Sequence, residues 1–364
     1  MKQQQERVYF ENLDALRFLA ALAVMGEHIS RSFYFPDTVV KKYFLVAISL
    51  DGSGGEWGVS FFFVLSGFLI THLLLREFQQ TETIALTTFY LRRTWRIWPL
   101  YWVVLLIGFV IHPLLDSSLH ETASPLLYAI FMANFDNMYG AWNESGILGV
   151  QWSLAIEEQF YLLWPIVILW LTTHRRYFLP LVGVLIFVSI FYRLNGGHKY
   201  HTLSGAAPLM CGAALAYISL YQKKYIDRWV LIFSRKRMVV LYIFFFLVLV
   251  FNYRISKFFG WGEVITVVGF PIMSVWILTD QVFSKSTYFQ PGRWKWATLA
   301  GKMSYGIYSL HMVAIVLVSY RYQHDHLSFW VAMIGIVLLT CTLVVLSYYF
   351  LEKPLLKRRP PTHA

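Results

Sequence analysis

The sequence predicts an all-α, polytopic membrane protein of about ten transmembrane helices, and two observations carry that prediction. Hydrophobic residues make up 57% of the 364-residue chain, charged residues only 14%, and the mean hydropathy is +0.53. Too little polar material is left to cover a soluble globule of this size. Apolar runs long enough to cross about 30 Å of hydrocarbon, at about 1.5 Å of rise per residue, recur from one end of the chain to the other.

Breaks at Gly, Pro and charged residues place spans near 14–33, 57–76, 94–112, 149–172, 177–194, 203–221, 238–253, 264–283, 298–319 and 327–351. An apolar patch near 125–135 is too short to cross and predicts a re-entrant or interfacial helix. The first run follows a short polar segment, as a secretory signal would. Arg17, Glu27 and His28 interrupt it and no small-residue cleavage site follows, so it reads as a retained span. The sixth run, with Gly205, Ala206, Ala207, Gly212, Ala213 and Ala214, reads as a close-packing helix. With no long linker, low-complexity tract or clear repeat, a single transmembrane domain over 1–364 is enough.

Charge fixes the expected orientation. With the N-terminus placed in the cytoplasm, the inner termini and loops collect 22 of the 31 Lys and Arg residues, among them Lys2, Arg7, Lys285 and the tail Lys353, Lys357, Arg358 and Arg359. The outer loops hold eight and Arg17 lies within a span, so both termini are expected in the cytoplasm. This asymmetry also accounts for the net charge of +11 through topology and anionic lipid, so no nucleic-acid partner is implied. Trp57, Trp95, Trp98, Tyr101 and Trp102 fall near span ends, where aromatic anchors collect. Cys211 and Cys341 are far apart within apolar runs, and His324-Asp325-His326 lacks further ligands at metal spacing, so neither a disulfide framework nor a metal site is expected.

Ionisable residues inside a bilayer are costly and are kept where they face a bundle interior, a cavity or one another. Arg17 and His28 are eleven residues apart, which on a helix is about 16 Å along the axis and about 20° around it. They share one face, joining a fixed cation near the inner end to a titratable base near the outer end. Pairing of Arg17 with Asp14, one turn earlier, is the structural alternative. The third span opens with Arg92, Arg93 and Arg96, whose i, i+3 and i, i+4 spacings crowd like charges together unless an anion or carboxylate sits among them. A phosphate-rich ligand suits the cluster, and so do lipid headgroups.

The fourth span begins Gln151-Trp-Ser-Leu-Ala-Ile-Glu157-Glu158, with its two carboxylates about 100° apart around the helix. One of them can orient a histidine or bind a cation while the other reaches the interface. Pro165, further along, is expected to kink this helix. His311 lies well inside the ninth span and is a secondary candidate. No P-loop, G-x-S-x-G elbow or H-E-x-x-H occurs, so chemistry must come from histidine, carboxylates and arginines in the membrane.

These residues resemble the membrane acyltransferase 3 family, which O-acylates bacterial surface glycans and some small molecules. The resemblance rests on Arg17-x10-His28, on Phe-Phe-Val-Leu-Ser-Gly-Phe at 62–68 and on Arg93-x-x-Arg96 with Pro99 and Tyr101. It also rests on Trp152-Ser-Leu-Ala-Ile-Glu157-Glu-Gln-Phe-Tyr161, on Ser304-Tyr-Gly-Ile-Tyr-Ser-Leu-His311 and on Glu352-Lys-Pro354. Some relatives carry a C-terminal extracytoplasmic domain of the SGNH type, which this sequence is not expected to contain.

What the resemblance implies is transfer of an acyl group, usually acetyl, from cytoplasmic acyl-CoA to a hydroxyl of a glycan, a lipid-linked glycan or a small molecule. Arg92, Arg93 and Arg96 would hold the phosphates of acetyl-CoA, and the pantetheine arm would follow the Arg17–His28 stripe. His28 would act as general base or carry the acyl group transiently, with Glu157 orienting its ring. A proton-coupled transporter or flippase is the rival reading, since buried His, Glu and Arg serve a relay as well.

Overall fold

The computed structural model describes residues 10–33, 38–115, 122–139, 146–232, 235–284, 287–325 and 327–360. Lys2, Arg7, Lys285 and His326 lie outside the described residues. Every regular element among the described residues is a helix. The helix α1 (Glu11–Ser32) and the short α2 (Val39–Ile48) lead into α3 (Gly54–Thr81) and α4 (Leu86–Ile111). Two short helices, α5 (Pro125–Ala129) and α6 (Ala133–Tyr139), precede α7 (Gln151–Thr173), α8 (Arg175–Leu194) and α9 (Thr202–Tyr221). The amphipathic α10 (Lys223–Ile232) is followed by α11 (Arg235–Phe259) and α12 (Gly262–Phe283). Last come α13 (Lys295–Lys302), α14 (Ser304–His324) and α15 (Phe329–Arg358).

Eight described helices, α3, α4, α7, α8, α9, α11, α12 and α15, are long and apolar enough to cross a membrane. A ninth is reached if α13 and α14, bent by 71° at Met303, form one broken span. The expectation of ten therefore meets eight or nine, and the difference is α1. It is a helix of 22 residues, but Asp14, Arg17, Glu27 and Arg31 make it too charged for an apolar span. These four charges pair off locally, with Arg17 Nη1 3.0 Å from Asp14 Oδ1 and Arg31 Nη2 2.5 Å from Glu27 Oε1. Packing does the rest: α1 is in contact with α2, α3, α12, α13 and α14. The patch near 125–135 is also corrected. It forms two short helices, broken at Phe131, whose φ of +56° ends the first.

Among the described residues, three helices contain a π-helical turn, at Ile107–Ile111, Ile265–Gly269 and Tyr348–Glu352. Each is followed two residues later by a proline, Pro113, Pro271 and Pro354. A proline clashes with the carbonyl four residues before it, and in all three cases that carbonyl lies in the widened turn, which makes the room. At Pro165, by contrast, α7 continues as α-helix.

The small-residue helix packs as its composition predicts. A Cβ added at Gly67 of α3 would come 1.9 Å from the Leu209 carbonyl oxygen, and one added at Gly212 of α9 would come 1.9 Å from that of Val64. The two backbones thus touch, which no larger residue permits. Outward, α8, α11 and α15 expose large apolar side chains such as Phe187, Phe244 and Leu338, the surface that lipid requires.

Candidate active site

Two cavities lie end to end among α1, α3, α7 and α14. The first holds about 800 Å³ of empty space counted to its open mouth and is lined by Arg17, Ser66, Arg93, Arg96, Glu157, Tyr161 and Tyr305. The second holds about 980 Å³ and is lined by Glu27, His28, Arg31, Ser60, Trp152, Lys199 and Tyr200. Val59, Phe63 and Tyr308 line both. Arg17 and His28 therefore open into different chambers, as their separation along one face of α1 requires.

His28 Nδ1 lies 3.1 Å from His311 Nε2, across the contact between α1 and α14. His311 is fully buried, and its Nδ1 lies 3.0 Å from the Ile307 carbonyl oxygen. A carbonyl only accepts, so the proton of a neutral His311 sits on Nδ1 and leaves Nε2 as an acceptor. Nδ1–H of His28 then donates to it. The lone pair of a neutral His28 is placed on Nε2, the arrangement a general base needs.

Glu157 sits elsewhere. Ser66 Oγ donates to one of its carboxylate oxygens at 2.8 Å and the Tyr161 hydroxyl to the other at 3.0 Å. Its charged neighbours are Arg17 and Arg93, so the described hydrogen bonds pair His28 with His311 rather than with Glu157. Adjacent on α7, Glu158 turns away and accepts from Trp98 Nε1 at 3.1 Å.

The arginine cluster divides. The guanidinium of Arg93 stacks over the rings of Tyr161 and Phe89, 5.4 and 5.6 Å from their centroids. Arg96 lines the same chamber and interacts electrostatically with Glu352, a buried carboxylate that accepts from Ser347 Oγ at 3.1 Å. Arg92 is not part of the lining: it precedes Arg93 by 100° around α4, which turns it to a different side.

Around the second chamber, Glu27 receives Arg31 and also accepts from the backbone N–H of Gly55 at 2.5 Å, tying α1 to the N-terminal turn of α3. Trp152 packs on Tyr200 with ring centroids 4.8 Å apart. Tyr308 hydrogen-bonds Ser153 and donates to the Val150 carbonyl at 3.3 Å. The sequence reading left His311 secondary and missed Tyr308, although the two stand three residues apart on one helix, within a single motif. No group of three or more His, Cys, Asp or Glu placed to hold a metal ion occurs among the described residues.

Comparison with known proteins places this architecture. Peptidoglycan O-acetyltransferase OatA of Listeria monocytogenes is 26% identical over 379 residues, covering 96% of this chain and 56% of that protein. O-acetyltransferase OatA of Staphylococcus aureus (strain NCTC 8325) is 28% identical over 374 residues, covering 96% of this chain and 58% of that protein. The chain thus spans somewhat over half the length of the curated relatives it matches. No solved structure shows a significant match. The acyltransferase domain profile matches residues 10–351, which include every helix lining the two chambers. The chain therefore belongs to the acyltransferase 3 family.

Proposed function

We propose that this protein is a multi-pass membrane O-acyltransferase that moves an acetyl group from acyl-CoA to a hydroxyl of a cell-envelope glycan. The observation that carries the reading is the His28–His311 pair, which leaves an unprotonated Nε2 on His28 in a chamber abutting the one that holds Arg17, Arg93 and Arg96. In this reading α1 is a tenth span inside a ring of apolar helices and the whole is one domain. Both termini face the cytoplasm and the arginine chamber opens to the same side, as the excess of Lys and Arg at the inner helix ends supports.

The residues of the first chamber suit the donor. Arg17, Arg93 and Arg96 would hold its phosphates by charge-assisted hydrogen bonds, while Phe62, Leu65 and Leu69 give the remaining wall an apolar character. A thioester supplies an acyl carbon activated for attack. On the other side, Trp152 and Tyr200 offer aromatic faces to a pyranose ring, and peptidoglycan, named for the Listeria relative, is the acceptor class we favour. His28 Nε2 takes the proton of the acceptor hydroxyl as that oxygen bonds to the acyl carbon. The carbon–sulfur bond breaks, and the proton held on Nε2 passes to the departing thiolate.

Purified protein in proteoliposomes tests this directly. Free CoA thiol should appear from acetyl-CoA only when soluble peptidoglycan fragments are present, and His28→Ala should stop it. Full transfer by an inserted His28→Ala variant would remove the base from the scheme. Movement of fragments across the bilayer without thiol release would make the protein a transporter.

A further inference from the structure

Among the described residues, the two chambers share only Val59, Phe63 and Tyr308 in their linings. Val59 and Phe63 stand four residues apart on one face of α3, and Tyr308 meets them from α14. All three are held. A Cβ added at Gly205 of α9 would lie 3.1 Å from Phe63 Cε2, so the Phe63 ring fills the space a larger residue there would need. Its other side meets Trp152 edge-on, with centroids 6.5 Å apart. Tyr308 is fixed by Ser153 and the Val150 carbonyl, and Phe62 packs against its ring edge-on at 5.8 Å.

On the proposed reaction, the acyl group must sit at this junction, with its carbonyl presented to the His28 chamber and its thioester sulfur reached from the arginine chamber. We infer that Val59, Phe63 and Tyr308 form a rigid filter that sets the length of the acyl group, admitting acetyl and excluding chains of four or more carbons. Rigidity is the reason. A wall of packed side chains cannot yield a methylene's width without displacing its neighbours, and one surplus methylene at such a wall costs on the order of tenfold in specificity or more. The inference rests on the acyltransferase reading and names the substrate class of its donor.

The test is transfer from acetyl-CoA, propionyl-CoA and butyryl-CoA to soluble peptidoglycan fragments, measured with the full chain in proteoliposomes. Wild-type protein should prefer acetyl over butyryl by on the order of a hundredfold across two methylenes. Val59→Ala and Phe63→Leu should each lower that preference at least tenfold, read as the ratio of butyryl to acetyl rates in the same preparation, while Tyr308→Phe, which keeps the ring and frees it from Ser153 and Val150, should lower it less. An unchanged ratio in both Val59→Ala and Phe63→Leu, whatever their absolute acetyl rate, overturns the filter alone. Butyryl transfer by wild type as fast as acetyl transfer overturns it as well. No transfer by wild type from any of the three thioesters overturns the acyltransferase reading and the filter with it.

Discussion

His28 and His311, separated by 283 residues in the chain, meet through Nδ1 and Nε2 at 3.1 Å. The second ring is anchored by a backbone carbonyl of its own helix, so the direction of the hydrogen bond, and with it the position of the lone pair on His28, is set by α14. Removal of the base should cost on the order of 10²–10⁴ in transfer rate, the usual contribution of general base catalysis. His311→Ala should cost about tenfold or more by releasing the ring of His28, and His311→Gln, which retains an acceptor, should recover part of the loss. Initial rates of thiol release in inserted protein check both, and equal rates for His311→Ala and wild type would exclude a positioning role for His311.

Arg93 and Arg96 line the first chamber whereas Arg92 does not. Arg93→Ala and Arg96→Ala should each raise KM for acetyl-CoA by about ten- to a hundredfold, with KM for the acceptor within about twofold, as expected for loss of a charge-assisted phosphate contact worth about 1.5–3 kcal/mol. The rise for Arg92→Ala should be smaller. Equal losses for donor and acceptor would assign these arginines to folding.

Glu27 joins α1 to α3 by accepting from the Gly55 N–H while paired to Arg31. Glu27→Ala leaves that buried donor without an acceptor, at a cost of about 1–3 kcal/mol, and should lower the thermal midpoint in detergent. Glu27→Gln keeps an acceptor oxygen and should fall between the two.

The α3–α9 contact has no room for a methyl group. Gly212→Ala places a carbon against the Val64 carbonyl and should destabilise by about 1–3 kcal/mol, while Gly183→Ala in α8, where nothing lies within 4 Å, should stabilise by up to about 1 kcal/mol through helix propensity. Thermal unfolding of the two variants side by side measures the difference.

Some of this was legible in the order of residues alone. Helical spans follow from run length and composition. That Arg17 and His28 share a face follows from a 3.6-residue period, and that Arg93 and Arg96 neighbour each other follows from an i, i+3 spacing. The charged character of α1, read as a site, also proved to be what separates it from the eight apolar spans. Each of these is a property of one helix, and one helix's geometry is nearly independent of its surroundings.

What the tertiary structure decided is which faces meet. Period and spacing do not fix the partner of His28, for which the sequence reading names Glu157, and they give Arg92 the same standing as Arg93. The choice depends on the rotation and depth at which helices distant in sequence pack, fixed here by close backbone contacts such as Gly67 against Leu209 and Gly212 against Val64. Glu157 meets Ser66 where α7 packs on α3, and His311 reaches His28 where α14 packs on α1. A sequence fixes the angle between residues on one helix. Only the packing of several helices fixes the angle between residues on two.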